Sequence, residues 1–402
     1  MKKTFFIFFL SGFAHAEIHD VSILENDTAS YNYADFRMWV NDSTDTLRGI
    51  YWFMHPNNGD SRNVVSDSNY QILASNQDFA LLGAHIFNMH MYTGIGDAVI
   101  AAMDSFAVLF SHDEISFIPF FINGYSWGGQ FGYHFTKWIP ERMLGFITQK
   151  GGHHDSTDAG GAMEGPGLMF VAENDLPYRI ENLTGIFLDH RPLGAKWILA
   201  MEQGVGHTQV IDYPFLNSFF NTVANLRLPD SMDVFQPVTL NPLPDSMGWL
   251  GDQTSWTIGA WDCYDGAVDS SSWFPTREVG ELWQNFVSEG TIMDTSACDS
   301  IAVATDFAIP TKFLLHTPYP NPFNIITTLR YDLPEKATVN IIIYDLLSRQ
   351  VRTLVNQTQD AGYKSVIWNA TNDFGKPVSA GVYLYKIQAG EYIQTKKMVL
   401  LK

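Results

Sequence analysis

The chain has 402 residues, room for two or three domains of ordinary size. Hydrophobic residues at 46% and charged residues at 17% match a globular protein with a large core, which excludes wholesale disorder. The 24 basic against 43 acidic residues give a net charge of −19, which repels a phosphate backbone and excludes nucleic acid as a partner, and two cysteines are too few for a disulfide framework or a four-cysteine zinc site.

At the N-terminus, Lys2 and Lys3 precede an apolar run over 5–13, and Ala14-His15-Ala16 supplies the small residues of a cleavage site, so residues 1–16 read as a secretory signal. That run is about half of a membrane span, and no later stretch is long enough for one, so no transmembrane segment is expected. Export leads to an oxidising compartment, which makes Cys263 and Cys298 a candidate disulfide; two unlinked buried thiols are the alternative.

Residues 17–228 alternate short apolar runs with helical patterns. The runs at 50–54, 79–84, 117–122, 144–148, 168–172 and 197–201 suit strands buried on both faces. Helical stretches at 97–110, 128–138, 178–188 and 209–226 lie between and after them, the order expected of a parallel sheet covered by helices. In the stretch 229–290, Leu-Pro-Asp-Ser-Met occurs at 228–232 and 243–247, each copy a turn, and tryptophans follow at 249, 256, 261, 273 and 283. Val279, Leu282, Trp283 and Phe286 mark one face of a helix capped by Thr276, and core packing is expected of these aromatics in preference to sugar stacking.

Residues 291–309 lack either period and read as a linker. From 310 onward the charge changes sign: 11 basic and 6 acidic residues give +5, against −24 for residues 1–309. Val339, Ile341 and Ile343 alternate with their neighbours, as do residues 382–387, and turn signals recur at Leu333-Pro334-Glu335, Asp360-Ala361-Gly362 and 373–377. About seven short strands are expected there, an immunoglobulin-like sandwich.

The strand at 117–122 runs into Asn123-Gly124-Tyr125-Ser126-Trp127-Gly128-Gly129, and a helix follows. This is a GxSxG sequence in the strand–turn–helix setting that a nucleophile elbow requires. A serine hydroxyl needs a base; His207, in Gly204-Val205-Gly206-His207-Thr208 after the strand at 197–201, would emerge at the same sheet edge. Asp175, after the strand at 168–172, is the acid to orient it, preferred over Glu173 and Glu181. His153 and His154, in a Gly-rich loop after the strand at 144–148, are expected at the cleft rim and not on a metal, for which no set of ligands stands at a fixed spacing. His85, His90 and His134 read as structural.

On these residues, 46–228 resemble the α/β-hydrolase superfamily, in its secreted esterase and dienelactone-hydrolase-like branch; the run from Pro166 to Asp175, Pro177-Tyr178-Arg179 and Gly194 to His207 is similar to its acid and histidine loops. The resemblance implies an α/β fold with a doubly wound, mostly parallel sheet spanning 17–290, no cofactor, and an oxyanion hole made by the Trp127 N–H and by one from His55-Pro56-Asn57-Asn58-Gly59-Asp60, where Asn57 and Asn58 are the candidates. The C-terminal module resembles the type A sorting domain of type IX secretion substrates. The matching residues are Tyr319-Pro320-Asn321-Pro322-Phe323-Asn324, Leu329 to Pro334, Ile343-Tyr344-Asp345, Trp368-Asn369, Gly381 to Tyr385 and Lys396 to Lys402. It implies delivery to the exterior or cell surface by the type IX machinery. The expected function is a secreted hydrolase of carboxylic esters, on polysaccharide esters or polyesters; a serine peptidase of the same fold and a glycan-binding protein with an inert core are the alternatives.

Overall fold

The computed structural model describes residues 17–290 apart from 26, 58 and 234, and residues 310–401 apart from 311, 317, 319, 320, 325, 326 and 360. The signal segment, the linker, Cys298 of the candidate disulfide, Asn58, and Tyr319-Pro320 of the sorting-type motif therefore lie outside the described residues. The chain divides into two compact units, Met1–Ile301 and Ala302–Lys402.

In the first unit, eight strands form one sheet: β1 (Glu17–Ile23), β2 (Ala34–Val40), β3 (Gly49–Met54), β4 (Phe79–Ile86), β5 (Phe120–Tyr125), β6 (Met143–Gln149), β7 (Gly167–Ala172) and β8 (Trp197–Glu202). Their order is β1-β2-β4-β3-β5-β6-β7-β8. The β1–β2 and β2–β4 pairs are antiparallel and every other pair is parallel. This is the doubly wound sheet of the α/β-hydrolase fold, with the strands β3 to β8 close to their expected places. Strand β5 starts three residues later than its apolar run, because Phe117 N–H turns back to Glu114 O at 2.8 Å and Pro119 precedes the ladder.

The helices are α1 (Ser68–Ser75), α2 (Ile95–Phe110), α3 (Trp127–Trp138), α4 (Pro177–His190), α5 (Tyr213–Arg227) and α6 (Arg277–Val287). Alternation along β3 divides its side chains between two cores: Trp52 joins Phe36, Phe120, Phe131 and Phe135 beneath α2 and α3. Tyr51 and Phe53 join Phe121, Phe170, Phe215 and Phe220 beneath α5 and α6. Thr276 caps α6 by accepting from Val279 N–H, and buried Trp283 donates its indole N–H to Leu199 O at 2.7 Å, which ties α6 to β8. Ahead of α6, β9 (Trp249–Gly251), β10 (Ile258–Ala260) and β11 (Ser272–Phe274) make a small antiparallel sheet. Trp273 and Trp283 are buried and the other three tryptophans of the segment half-buried, so packing is their main use.

The second unit is an all-β, Ig-like sandwich. Its strands are β12 (Leu314–Leu315), β13 (Phe323–Asn324), β14 (Thr327–Leu333), β15 (Ala337–Asp345), β16 (Gln350–Gln359), β17 (Gly362–Trp368), β18 (Gly381–Ala389) and β19 (Tyr392–Leu401). They form sheets ordered β12-β14-β17 and β13-β19-β18-β15-β16. Leu329, Tyr331, Ile341, Ile343, Trp368 and Tyr385 fill the space between them, the inward half of each two-residue period.

Candidate active site

The turn at Ser126 is forced by its glycines. Ser126 has φ 55° and ψ −118°, a strained conformation for a residue with a side chain, between the end of β5 and the first residue of α3. A methyl group at Gly124 would lie 2.2 Å from the carbonyl of Gly128, and one at Gly128 would lie 2.5 Å from His55 O and 2.6 Å from Met54 O. Only bare backbone fits at both places. The Ser126 N–H donates to Gln149 O at 2.7 Å, so the nucleophile's backbone is fastened to the end of β6.

Three side chains from separate strand ends meet there. Ser126 Oγ lies 2.9 Å from His207 Nε2, and His207 Nδ1 lies 2.7 Å from Asp175 Oδ2. A carboxylate can only accept, so the Nδ1 proton points at Asp175 and Nε2 is left to accept from the Ser126 hydroxyl. The other Asp175 oxygen accepts from Leu176 N–H at 2.7 Å and from Arg179 Nη1 at 2.7 Å. Burial raises the Asp175 carboxyl, but the hydrogen bonds from His207, Arg179 and Leu176 outweigh it and hold the group below the usual carboxylate range. It therefore stays charged at neutral pH and ready to stabilise an imidazolium.

The loop carrying His207 is pinned from several strands. Tyr125, the residue before the serine, donates its hydroxyl to His207 O at 2.7 Å. Lys150 Nζ donates to Gly206 O at 3.2 Å and Thr208 Oγ1 at 3.3 Å, while pairing with Glu202; its side chain is wholly buried. Gln149 accepts Val210 N–H at 2.9 Å and donates to Asn123 Oδ1 at 2.7 Å, and Asn123 donates to Tyr51 OH at 3.0 Å. Asn174 N–H reaches Val205 O at 2.9 Å, and Glu173 accepts Gly204 N–H at 2.8 Å. Glu173 thus holds the histidine loop, and Glu181 stands exposed on α4; neither touches His207. Sequence reasoning missed Gln149 and Lys150. Their trace is a polar pair closing an otherwise apolar strand.

Trp127 opens α3, so its N–H is one of those a helix leaves unsatisfied at its positive end, beside Ser126. Asn57 is exposed in a turn closed by Gly59 N–H to Pro56 O at 2.8 Å. His90, expected to be structural, lies 5.3 Å from the Trp127 ring and stacks on the exposed ring of Tyr92. The rim expectation divides. His153 is exposed and stacks on Tyr178 at 5.2 Å. His154 is not at the rim: it is buried between Thr148 Oγ1 at 2.8 Å and Asn182 Oδ1 at 3.2 Å, groups on β6 and α4 that close over the loop. Burial pushes His154 down to about 3, and pushes His134, which accepts Asp155 N–H at 2.9 Å, down to about 4. Among the described residues no three His, Cys, Asp or Glu side chains gather as a metal site, and no helix is long and apolar enough to cross a membrane.

Residues 325–391 match the protein family described as FlgD Ig-like domain. No curated protein matches the chain. Among solved structures, a ferulic acid esterase is similar at 9% identity, over 52% of this chain and 96% of that one, with a TM-score of 0.37. An S-formylglutathione hydrolase from Agrobacterium tumefaciens is similar at 13% identity, over 54% and 97% of the two chains, with a TM-score of 0.41. The feruloyl esterase module from Clostridium thermocellum is similar at 10% identity, over 48% and 82%, with a TM-score of 0.35.

Proposed function

We propose that this chain is a secreted serine hydrolase that cleaves carboxylic esters through an acyl-enzyme, on extracellular polysaccharide esters or polyesters. The observation that carries the reading is the unbroken hydrogen-bond line Asp175–His207–Ser126, with its serine on a strained elbow at the carboxyl edge of the sheet. His207 Nε2 takes the Ser126 proton as Oγ attacks the ester carbonyl, and Asp175 stabilises the cation that forms. The Trp127 N–H, joined by one from the 55–60 loop, holds the oxyanion. The tetrahedral intermediate expels the alcohol, which takes the proton from His207; water then enters by the same route and releases the acid and free Ser126. The C-terminal sandwich serves as a type IX sorting domain, a role supported by the sequence resemblance of its motifs.

Short p-nitrophenyl esters and a fluorophosphonate probe test the catalytic reading. The protein should hydrolyse the esters faster than matched amides and take up the probe at Ser126. Ser126→Ala should lower kcat by about a millionfold and abolish labelling. Ester hydrolysis that survives Ser126→Ala would refute it.

A further inference from the structure

Beside the triad, a groove with a hollow of 480 Å³ runs between α4 and the loop after β6, lined among others by His153, Ser156, Tyr178, Glu181, Gly185 and Asp189. We propose that this groove is the leaving-group subsite, that it takes a polyhydroxylated chain without negative charge, and that the ester cleaved at Ser126 is therefore carried on an oligosaccharide and not within a polyester. The inference rests on the ester-hydrolase reading above and narrows it to one of its two substrate classes.

The head of the groove adjoins the backbone that carries the triad. A methyl group at Gly151 would come within 3.0 Å of Ser126 O, and one at Gly152 would lie 2.5 Å from Arg179 Cγ and 2.7 Å from the Tyr178 ring. That turn is wedged between the nucleophile's backbone and Arg179, whose guanidinium holds Asp175. From Tyr178 in the first turn of α4 to Asp189 in its last, the groove follows the helix for about 16 Å, longer than one sugar ring. At Gly185 nothing stands within 4 Å of where a side chain would begin, so the floor is open.

The lining selects by chemistry. His153 stacked on Tyr178, with ring planes 26° apart, gives an aromatic wall for the C–H face of a sugar. Glu181 and Asp189 are exposed carboxylates with no ion pair among the described residues, and as pure acceptors they require hydrogen-bond donors. Hydroxyl groups supply donors. Along its length a polyester chain offers only the carbonyl and alkoxy oxygens of its esters and would set acceptor against acceptor. Polyanions are repelled by the two carboxylates and by the −24 charge of residues 1–309.

The test compares kcat/KM for O-acetylated xylo-, manno- and cello-oligosaccharides of one to four rings with that for p-nitrophenyl acetate and for soluble caprolactone oligomers. At least one acetylated oligosaccharide series should gain about tenfold in kcat/KM from one ring to four, and caprolactone oligomers should show no such gain. In the double variant Glu181→Gln/Asp189→Asn, and separately in Tyr178→Ala, the ratio of tetramer to p-nitrophenyl acetate kcat/KM should fall at least about tenfold. The proposal is overturned if no series gains with length, if caprolactone oligomers are preferred, or if the ratio is unmoved in both variants. Failure of the catalytic reading would look different: p-nitrophenyl acetate itself would go uncleaved, or be cleaved without Ser126.

Discussion

Lys150 touches no reacting atom in the proposed reaction, yet it decides where the base stands. Its ammonium bonds both neighbours of His207, Gly206 O and Thr208 Oγ1, from a site without solvent, and Glu202 balances the charge. Lys150→Met keeps the length of the side chain and removes all three bonds, so the imidazole loses its fixed distance to Ser126 while the groove and the acid stay in place. The expected result is a fall in kcat of about 10- to 100-fold with little change in KM, because a displacement of about an ångström costs alignment and not binding. Steady-state kinetics on p-nitrophenyl acetate with parallel fluorophosphonate labelling measures it, and a raised KM at unchanged kcat would contradict the positioning role. The residues the sequence nominates as nucleophile, base and acid are the ones the structure brings into contact, since a glycine-framed serine and strand-end positions leave marks in the chain. Lys150 and Gln149 leave almost none: they act on backbone groups far away in sequence, and no spacing encodes that. His154 misleads for the matching reason, because Thr148 and Asn182, which bury it, lie outside its glycine-rich surroundings.

At the scale of elements, the loop that follows β6 ties the candidate site to acid stability. Its His154 and its partner His134 on α3 are held neutral, at about 3 and about 4, whereas an unfolded chain would protonate both near the ordinary 6.5. Between those limits the unfolded state binds the extra protons, so stability is complete above about pH 6.5 and falls as the pH drops toward 4, by up to about 1.4 kcal/mol per pH unit for each histidine. Depressed carboxylates such as Asp155, held by Lys137, lose their contribution only below about pH 4, while Asp212, raised by its burial, acts in the opposite direction to the histidines as a single group against two. Half-buried His55, also pushed down by burial, adds in the same direction. Urea midpoints at intervals from pH 4.5 to 7.5 should rise and then level, and His134→Gln should flatten the rise; a midpoint independent of pH across that window would contradict it. The buried parallel strands were readable as apolar runs. β1, β2 and α1 were not: β1 is an edge strand whose residues are at most half-buried, and α1 is one short helix with Leu73 and Ala74 as its buried residues. β2 did carry a two-residue alternation, Ala34, Phe36 and Met38 against Asp35 and Arg37, which a search for continuous apolar runs passes over.

Over the whole molecule, the charge changes sign near residue 310, and the described residues on either side of 291–309 fill two separate cores. In the first unit the sheet is packed on both faces by its own helices, and α6 closes it through Trp283 and Leu199. The second unit fills its sandwich from Leu329, Tyr331, Ile341 and Trp368 of its own strands. Each unit thus meets the requirement for folding by itself, a closed apolar interior with its backbone groups paired. All three side chains of the candidate triad, the histidine-loop clamps and the α4 groove lie within the first unit. A chain ending at Ile301 should therefore hydrolyse p-nitrophenyl acetate with kcat/KM within about twofold of the full chain, since no group that orients the reacting atoms is removed. Calorimetry should show a transition in the full chain that the shortened one lacks, the melting of the sandwich, while the remaining transition keeps its midpoint. A large loss of kcat/KM with that midpoint unchanged would mean that the sandwich supplies part of the catalytic surface. A lowered midpoint would mean that the hydrolase unit depends on the sandwich for its stability, and either result would contradict the independence argued from the two cores.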